Sequence, residues 1–238
     1  MTTLRLAAAL SLAAAGTAQA ADFNALRLLN QTEFRAFSED VASAISYKGM
    51  IPAEGLGITG FDLGVRATAT EVSNRDVLIK AANGASVPKA VPTVGLHAVK
   101  GLPFDIDVGL TLMTLPGTNI RATGGEVRWA FVSGNTLLPA LAVRLSTVGL
   151  SGVDELKMRS TGVDLSISKG FLFATPYAGV GRVNVSSKAP GTTLKDESFG
   201  QSKVFAGVNI ALVPLALGLE VDKTGDATSY GIKLAIRW

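Results

Sequence analysis

The chain has 238 residues, of which 47% are hydrophobic and 17% charged, with no cysteine, a single histidine and a formal net charge of +3. The missing cysteines exclude a disulfide framework, and so small and scattered a charge excludes a nucleic-acid partner, which needs a basic patch. A soluble domain carries about 25% charged residues, so this composition is apolar, yet beyond residue 20 no run approaches the ~18 apolar residues of a membrane helix.

Residues 1–20, MTTLRLAAALSLAAAGTAQA, hold one cation (Arg5), an apolar run from Leu6 to about Ala15, and a closing Ala18-Gln19-Ala20. This is the three-part layout of a cleavable export signal, with the mature chain starting near Ala21. Its apolar core is too short to span a bilayer, which takes about 20 residues.

Residues 21–59 form an N-terminal segment with a different pattern. LNQTEFRAFSEDVASAI places Phe34, Phe37, Val41 and Ala44 or Ile45 at helical spacing. Thr32 can cap the first turn, with Glu33 close behind at the positive end of the helix dipole. SYKGMIPAEGLGITG then reads as an irregular link or one further strand. The helix could plug a barrel, lie against its periplasmic mouth, or move freely.

From residue 60 to the end the period is two. Phe61, Leu63, Val65, Ala67 and Ala69 oppose Asp62, Gly64, Arg66, Thr68 and Thr70, while Leu217, Leu219 and Val221 oppose Gly218, Glu220 and Asp222. Such alternation marks strands with one apolar and one polar face. Ten segments follow: 60–72, 92–101, 104–114, 120–131, 139–148, 157–169, 173–186, 201–212, 214–223 and 228–238, with an even count between eight and twelve as the bound. In the sixth, Leu156 and Met158 are out of phase with Val163, Leu165 and Ile167, which calls for a bulge.

The connections alternate strictly. Those at 100–103, 133–138, 169–172 and 212–214 are short or turn-like; those at 73–91, 115–119, 149–156, 187–200 and 224–227 are on average longer and richer in charge. Membrane barrels are built with short turns on one side and longer loops on the other. Phe61, Phe104, Trp129, Phe131, Phe173 and Trp238 fall at one level on the apolar face, as an interfacial aromatic girdle requires. A soluble core has no reason to gather its rings at one end. The predicted fold is therefore an all-β, antiparallel, up-and-down transmembrane barrel of about ten strands over residues 60–238, apolar side out.

That orientation turns Asp62, Arg66, Asp105, Asp107, Glu126, Arg128, Arg144, Asp164, Arg182, Lys203, Glu220, Asp222, Lys233 and Arg237 inward. They make either a salt-bridged filling or the lining of a solute path with charge-set selectivity. Asp105 and Asp107, on one inward face, could perturb each other's proton affinity. A lone His97 excludes metal and triad arrangements that need two imidazoles. It reads as a lumen histidine, hydrogen-bonded to its neighbours and nearer the periplasmic end. GVGRVN and GLGITG lie in or before strands, so they do not cradle phosphate, and no G-x-S-x-G elbow occurs.

The last ten residues, SYGIKLAIRW, end on an aromatic with alternating apolar positions behind it: Tyr230, Ile232, Leu234, Ile236 and Trp238. This resembles the C-terminal signature of bacterial outer-membrane β-barrel proteins, and the resemblance implies recognition by the barrel-assembly machinery. A wider likeness runs through IPAEGLGITGFDLGV, KGLPFDIDVG, LSISKGF with TPYAGVG, and VDKTGDATSYG. It is similar to proteobacterial outer-membrane proteins of unassigned activity and covers most of the mature chain. A more distant likeness, to fatty-acid channels of the outer membrane, rests on the N-terminal extension and PYAG.

The expected protein is thus exported to the outer membrane, meets outer-membrane lipid, and carries no catalytic centre, metal or cofactor. Its expected function is a small channel or passive transporter for small or apolar solutes. The alternative is a non-transporting structural or interaction barrel with a closed, salt-bridged lumen. A lipid-modifying enzyme working through His97 is the least supported reading.

Overall fold

The computed structural model describes residues 23–238; the export signal read at 1–20 lies outside the described residues. Ten antiparallel strands close on themselves: β1 (Phe61–Glu71), β2 (Ala90–Leu102), β3 (Ile106–Thr114), β4 (Arg121–Val132), β5 (Ala140–Ser151), β6 (Lys157–Ser168), β7 (Ala174–Lys188), β8 (Glu197–Leu212), β9 (Leu215–Thr224) and β10 (Ala227–Arg237). Each pairs with its sequence neighbours, and β1 pairs with β10, so the sheet has no open edge. Every segment read from the period-two pattern is a strand.

Along each strand the faces alternate between buried and exposed, but in the sense of a membrane protein. Leu63, Leu96, Leu110, Leu145, Leu165 and Val204 point out and are exposed, whereas Asp62, Asp107, Arg128, Asp164 and Lys203 point in and are buried. In water this exterior would be a continuous apolar patch; in hydrocarbon it is the favourable surface, and closure satisfies every strand's backbone without water. The chain is a transmembrane β-barrel of the outer-membrane type. Phe61, Phe104, Trp129, Phe131, Phe173 and Trp238 are all exposed at the short-turn end, with Phe171 beside them.

The bulge expected in β6 is absent. Its register against β5 and β7 runs without a shift, while the one irregularity on β4 falls between Trp129 and Val132. Met158 is on the inward face and Leu156 is buried just before the strand because the lumen itself changes character towards the long loops. There Met113, Ala122, Val148, Val183, Val185 and Phe199 turn apolar side chains inward around an N-terminal helix.

That helix, α1 (Gln31–Ile45), follows a 3-10 turn at Leu26–Leu28. Its cap is Asn30 rather than Thr32: Asn30 Oδ1 accepts from the Glu33 backbone N–H at 2.9 Å, and Asn30 N–H donates to Glu33 Oε2 at 2.8 Å. The three-residue spacing makes a reciprocal capping box, which a Thr32 cap would forgo. Phe34, Phe37, Val41, Ala44 and Ile45 are buried on its inner side. A short helix, α2 (Arg75–Ala81), forms inside the 73–91 connection and adds Leu78 and Ala81 to the same core.

The position of α1 differs from a periplasmic placement. It sits in the mouth at the long-loop end, where Ser38 bonds Ser187, Ser43 bonds the Thr224 carbonyl, and Asp40 accepts from Ser73 and Asn74. Since β1 begins at the opposite end, beside Trp238, residues 46–60 have to cross the barrel from mouth to mouth. They do so inside the lumen. We call this crossing the strap.

Candidate functional site

The strap has no strand or helix of its own over residues 46–60, yet residues 41–53 are all buried. Inward side chains of the wall pair several of its backbone groups. Arg66 Nη1 donates to the Lys48 carbonyl and Lys203 Nζ to the Tyr47 carbonyl, the latter at 2.6 Å. Arg128 Nη1 donates to the Pro52 carbonyl and its Nη2 to the Glu54 carbonyl, the latter at 3.1 Å. The strap's N–H groups find acceptors in turn: Ala53 on Ser168 Oγ at 3.0 Å and Leu56 on Asp107 Oδ1 at 3.1 Å. An unpaired backbone group in such an interior is costly, so these contacts fix the strap's path as a sheet ladder fixes a strand.

Glycine makes the room. A Cβ on Gly231 would meet the Met50 side chain, one on Gly218 the Met50 carbonyl, and one on Gly49 the Arg144 guanidinium. Met50 itself is fully buried. The strap therefore lies against a floor of bare backbone on β9 and β10.

Around it the ionised side chains are paired across neighbouring and next-nearest strands. Asp62 on β1 takes Lys233 at 2.9 Å and Arg237 at 2.6 Å, both from β10. Asp107 on β3 takes Arg128 Nε from β4 at 3.0 Å. Glu126 meets Arg144 at 2.7 Å, and Arg144 reaches Asp164 at 3.6 Å. Lys203 lies between Asp164 (3.4 Å) and Asp222 (3.7 Å), and the strap's Lys48 approaches Asp222 at 3.9 Å. Tyr177 donates to Glu220 at 3.0 Å. Two like-charged pairs, Arg128 with Arg144 and Arg66 with Lys233, stand directly opposite in the register. Such pairs repel; carboxylates serve Arg128, Arg144 and Lys233, and Arg66 faces the strap carbonyl.

Two of the fourteen charged positions depart from the expected inward face. Arg182 points outward, because β7 turns Val183 and Val185 into the apolar core under α1. Asp105 lies outside β3, in a turn where Phe104 and Asp105 both have positive φ (66° and 55°), and accepts from Ser133 Oγ at 2.8 Å. It shares no site with Asp107, so the two carboxylates do not face each other. His97 does face the lumen and is buried, with the Tyr47 ring 6.2 Å away. Neither of its ring nitrogens has a hydrogen-bond partner among the described residues, in contrast to the bonded histidine expected.

The residues that organise this interior and escaped sequence reasoning are Tyr47, Lys48, Met50 and residues 52–56. No periodicity marks them. The available signal was negative: a stretch of good length between helix and first strand whose polar backbone had to be paired somewhere.

Outside, two shallow apolar concavities of about 630 and 900 Å³ lie over β10–β3 and over β1–β5. Leu96, Leu112 and Leu234 line the first, and Leu63, Leu110 and Val127 the second, so both belong to the hydrocarbon-facing wall. Among the described residues no three His, Cys, Asp or Glu side chains converge as metal ligands do.

No protein-family model and no curated protein matches the chain. Solved structures similar to it include three outer-membrane proteins. The N-terminal β-barrel domain of Pseudomonas aeruginosa OprF is 10% identical over 76% of this chain and 99% of its own, with a TM-score of 0.35. Pseudomonas aeruginosa OprG is 11% identical over 79% and 99%, with a TM-score of 0.37. Yersinia pestis Ail in a phospholipid nanodisc is 9% identical over 78% and 100%, with a TM-score of 0.38.

Proposed function

We propose that this protein is an outer-membrane barrel closed along its axis by its own N-terminal segment, acting as a structural or interaction barrel that displays α1 and the long loops at one mouth. The observation that carries this reading is the use of the lumen charges. Arg66, Arg128 and Lys203 spend donors on strap carbonyls, and Asp107 accepts from the strap. Charges lining a working aqueous path should instead face an open bore. A channel for small solutes is the second reading, and one feature favours keeping it. The strap is held by side-chain bonds without a continuous ladder, so its displacement would expose a charged bore and gate a small solute.

Location in the outer membrane, export by a signal cleaved after Ala20, and recognition of Tyr230, Ile232, Leu234, Ile236 and Trp238 by the assembly machinery belong to the same proposal. The mass of the mature protein tests the cleavage. Planar bilayers test the lumen: the intact protein should give no steady conductance, while a chain lacking residues 46–56 should give discrete channels. Steady, ion-selective conductance from the intact protein, altered by Arg128→Gln, would replace the closed-barrel reading with the channel.

A further inference from the structure

The outer wall carries a sign bias that neither reading uses. Near the long loops, six cations point outward from the strands: Arg121, Lys157, Arg159, Arg182, Lys188 and Lys223. The one carboxylate on the same outward faces is Glu71. The lumen, by contrast, holds both signs in pairs. Among the described residues only Lys188 of the six has an ionic partner, Asp196 at 2.6 Å.

Their depth is set by the strands. Arg182 and Lys223 lie eight residues, Arg159 nine, and Arg121 and Lys157 eleven, from the short-turn ends of β7, β9, β6, β4 and β6. With a rise of about 3.3 Å per residue and a tilt near 40°, that places them roughly 20–28 Å above the aromatic girdle. The apolar band of such barrels is about 25 Å tall, so the cations stand at the far interface.

The wall composition changes at that level. On β6 and β7 the outward face runs Ile167, Leu165, Val163 and Ala178, Val180, then becomes Thr161, Arg159 and Arg182, Asn184, Ser186. Arg182 also shows which way it reaches. Its guanidinium occupies the space a Cβ on Gly200 would fill, and Gly200 lies two residues nearer the long loops than Ser202, the register partner of Arg182. The side chain therefore rises out of the hydrocarbon towards the head groups, as a lipid-facing arginine does.

We propose that this collar, centred on Arg159 and Arg182, binds anionic phosphate-bearing head groups of the lipid leaflet at the long-loop rim. Cations at an interface attract anionic lipid through charge and hydrogen bonding to phosphate oxygens. A soluble acidic protein fits less well, because the lowest members stand at the edge of the hydrocarbon.

The test uses the full mature protein in nanodiscs of phosphatidylcholine mixed with phosphatidylglycerol, with retained lipid counted by native mass spectrometry. The intact protein should retain phosphatidylglycerol preferentially, and Arg159→Gln with Arg182→Gln should lower that preference on the order of tenfold. Arg159→Lys with Arg182→Lys should largely restore it, which separates lost charge from lost folding. Lys100→Gln, at the opposite rim, should leave it unchanged. Inorganic phosphate added at millimolar concentration should not displace the lipid; if it does so fully, the site is a free-anion site and the assignment to head groups fails. Equal retention of both lipids, or a preference that survives the double substitution, overturns the proposal.

Discussion

Phe61 and Trp238 exchange two backbone hydrogen bonds, at 2.9 and 3.0 Å, and so join the first residue of β1 to the residue that follows β10. The pair closes the seam between β1 and β10, and the Trp238 indole lies in the aromatic girdle. Deleting Trp238 removes two backbone bonds of Phe61 at the membrane edge, each with a net worth of about 0.5–1.5 kcal/mol. The expected result is slower folding into lipid vesicles and a lower unfolding midpoint, read by heat-dependent gel migration. Trp238→Phe should keep most of both.

Arg128 links wall and strap. Removing it leaves Asp107 buried with its charge uncompensated, which costs about 3–5 kcal/mol. Arg128→Met should therefore lower urea resistance in detergent by that order. Asp107→Leu in the same chain should recover part of the loss, since no lone charge then remains buried. A double-mutant cycle with no coupling would show that the 3.0 Å contact does not form in the folded protein.

The glycine floor predicts a steric way to expel the strap. Gly231→Val builds carbon where Met50 lies, while the outward face of β10 is untouched. The barrel should still migrate as a folded species, but the bond after Lys48 should become open to trypsin. Protection equal to that of the intact protein would place Met50 elsewhere.

Acid should loosen the cap before the barrel. The Lys80 ammonium, and next the Asn30 backbone N–H, hold the Glu33 carboxyl below its ordinary value. A depressed carboxyl stabilises the folded state above its unfolded pKa, and that contribution is lost as pH falls through the folded value. Amide protection factors in the first turn of α1 should therefore fall as pH drops below the ordinary glutamate range, with Glu33→Gln already poorly protected at neutral pH. Exchange in β1–β10 should not follow.

Much of the wall was legible because one rule governs it. Lipid outside and charge inside imposes a strict period of two, so strand existence and most inward charges could be read directly, Asp62, Arg128 and Lys233 among them. Asp105 was lost to the positive-φ turn before β3, and the other misplacements in the wall share one origin: the lumen is not uniform. Under α1 it turns apolar, which put Met158 out of phase, reversed the expected side of Arg182, and hid the start of β8 at Glu197, four residues before the pattern at 201. The strap was illegible for a different reason. An extended segment gripped through its backbone by Arg66, Arg128 and Lys203 places no demand on its own side-chain order, so no periodicity records it. The cap at Asn30 was readable from its spacing to Glu33.

The central claim is that greasy side chains face hydrocarbon while residues 46–56 fill the bore. The chain has no native cysteine, so an introduced one reports alone. In proteoliposomes with a water-soluble maleimide on both sides, Leu172→Cys at the exposed short-turn end should react quickly. Leu110→Cys on the wall and Met50→Cys in the strap should both stay unmodified until the protein is unfolded. Rapid labelling of Met50→Cys in the folded barrel would mean an open, water-filled lumen and would contradict the account.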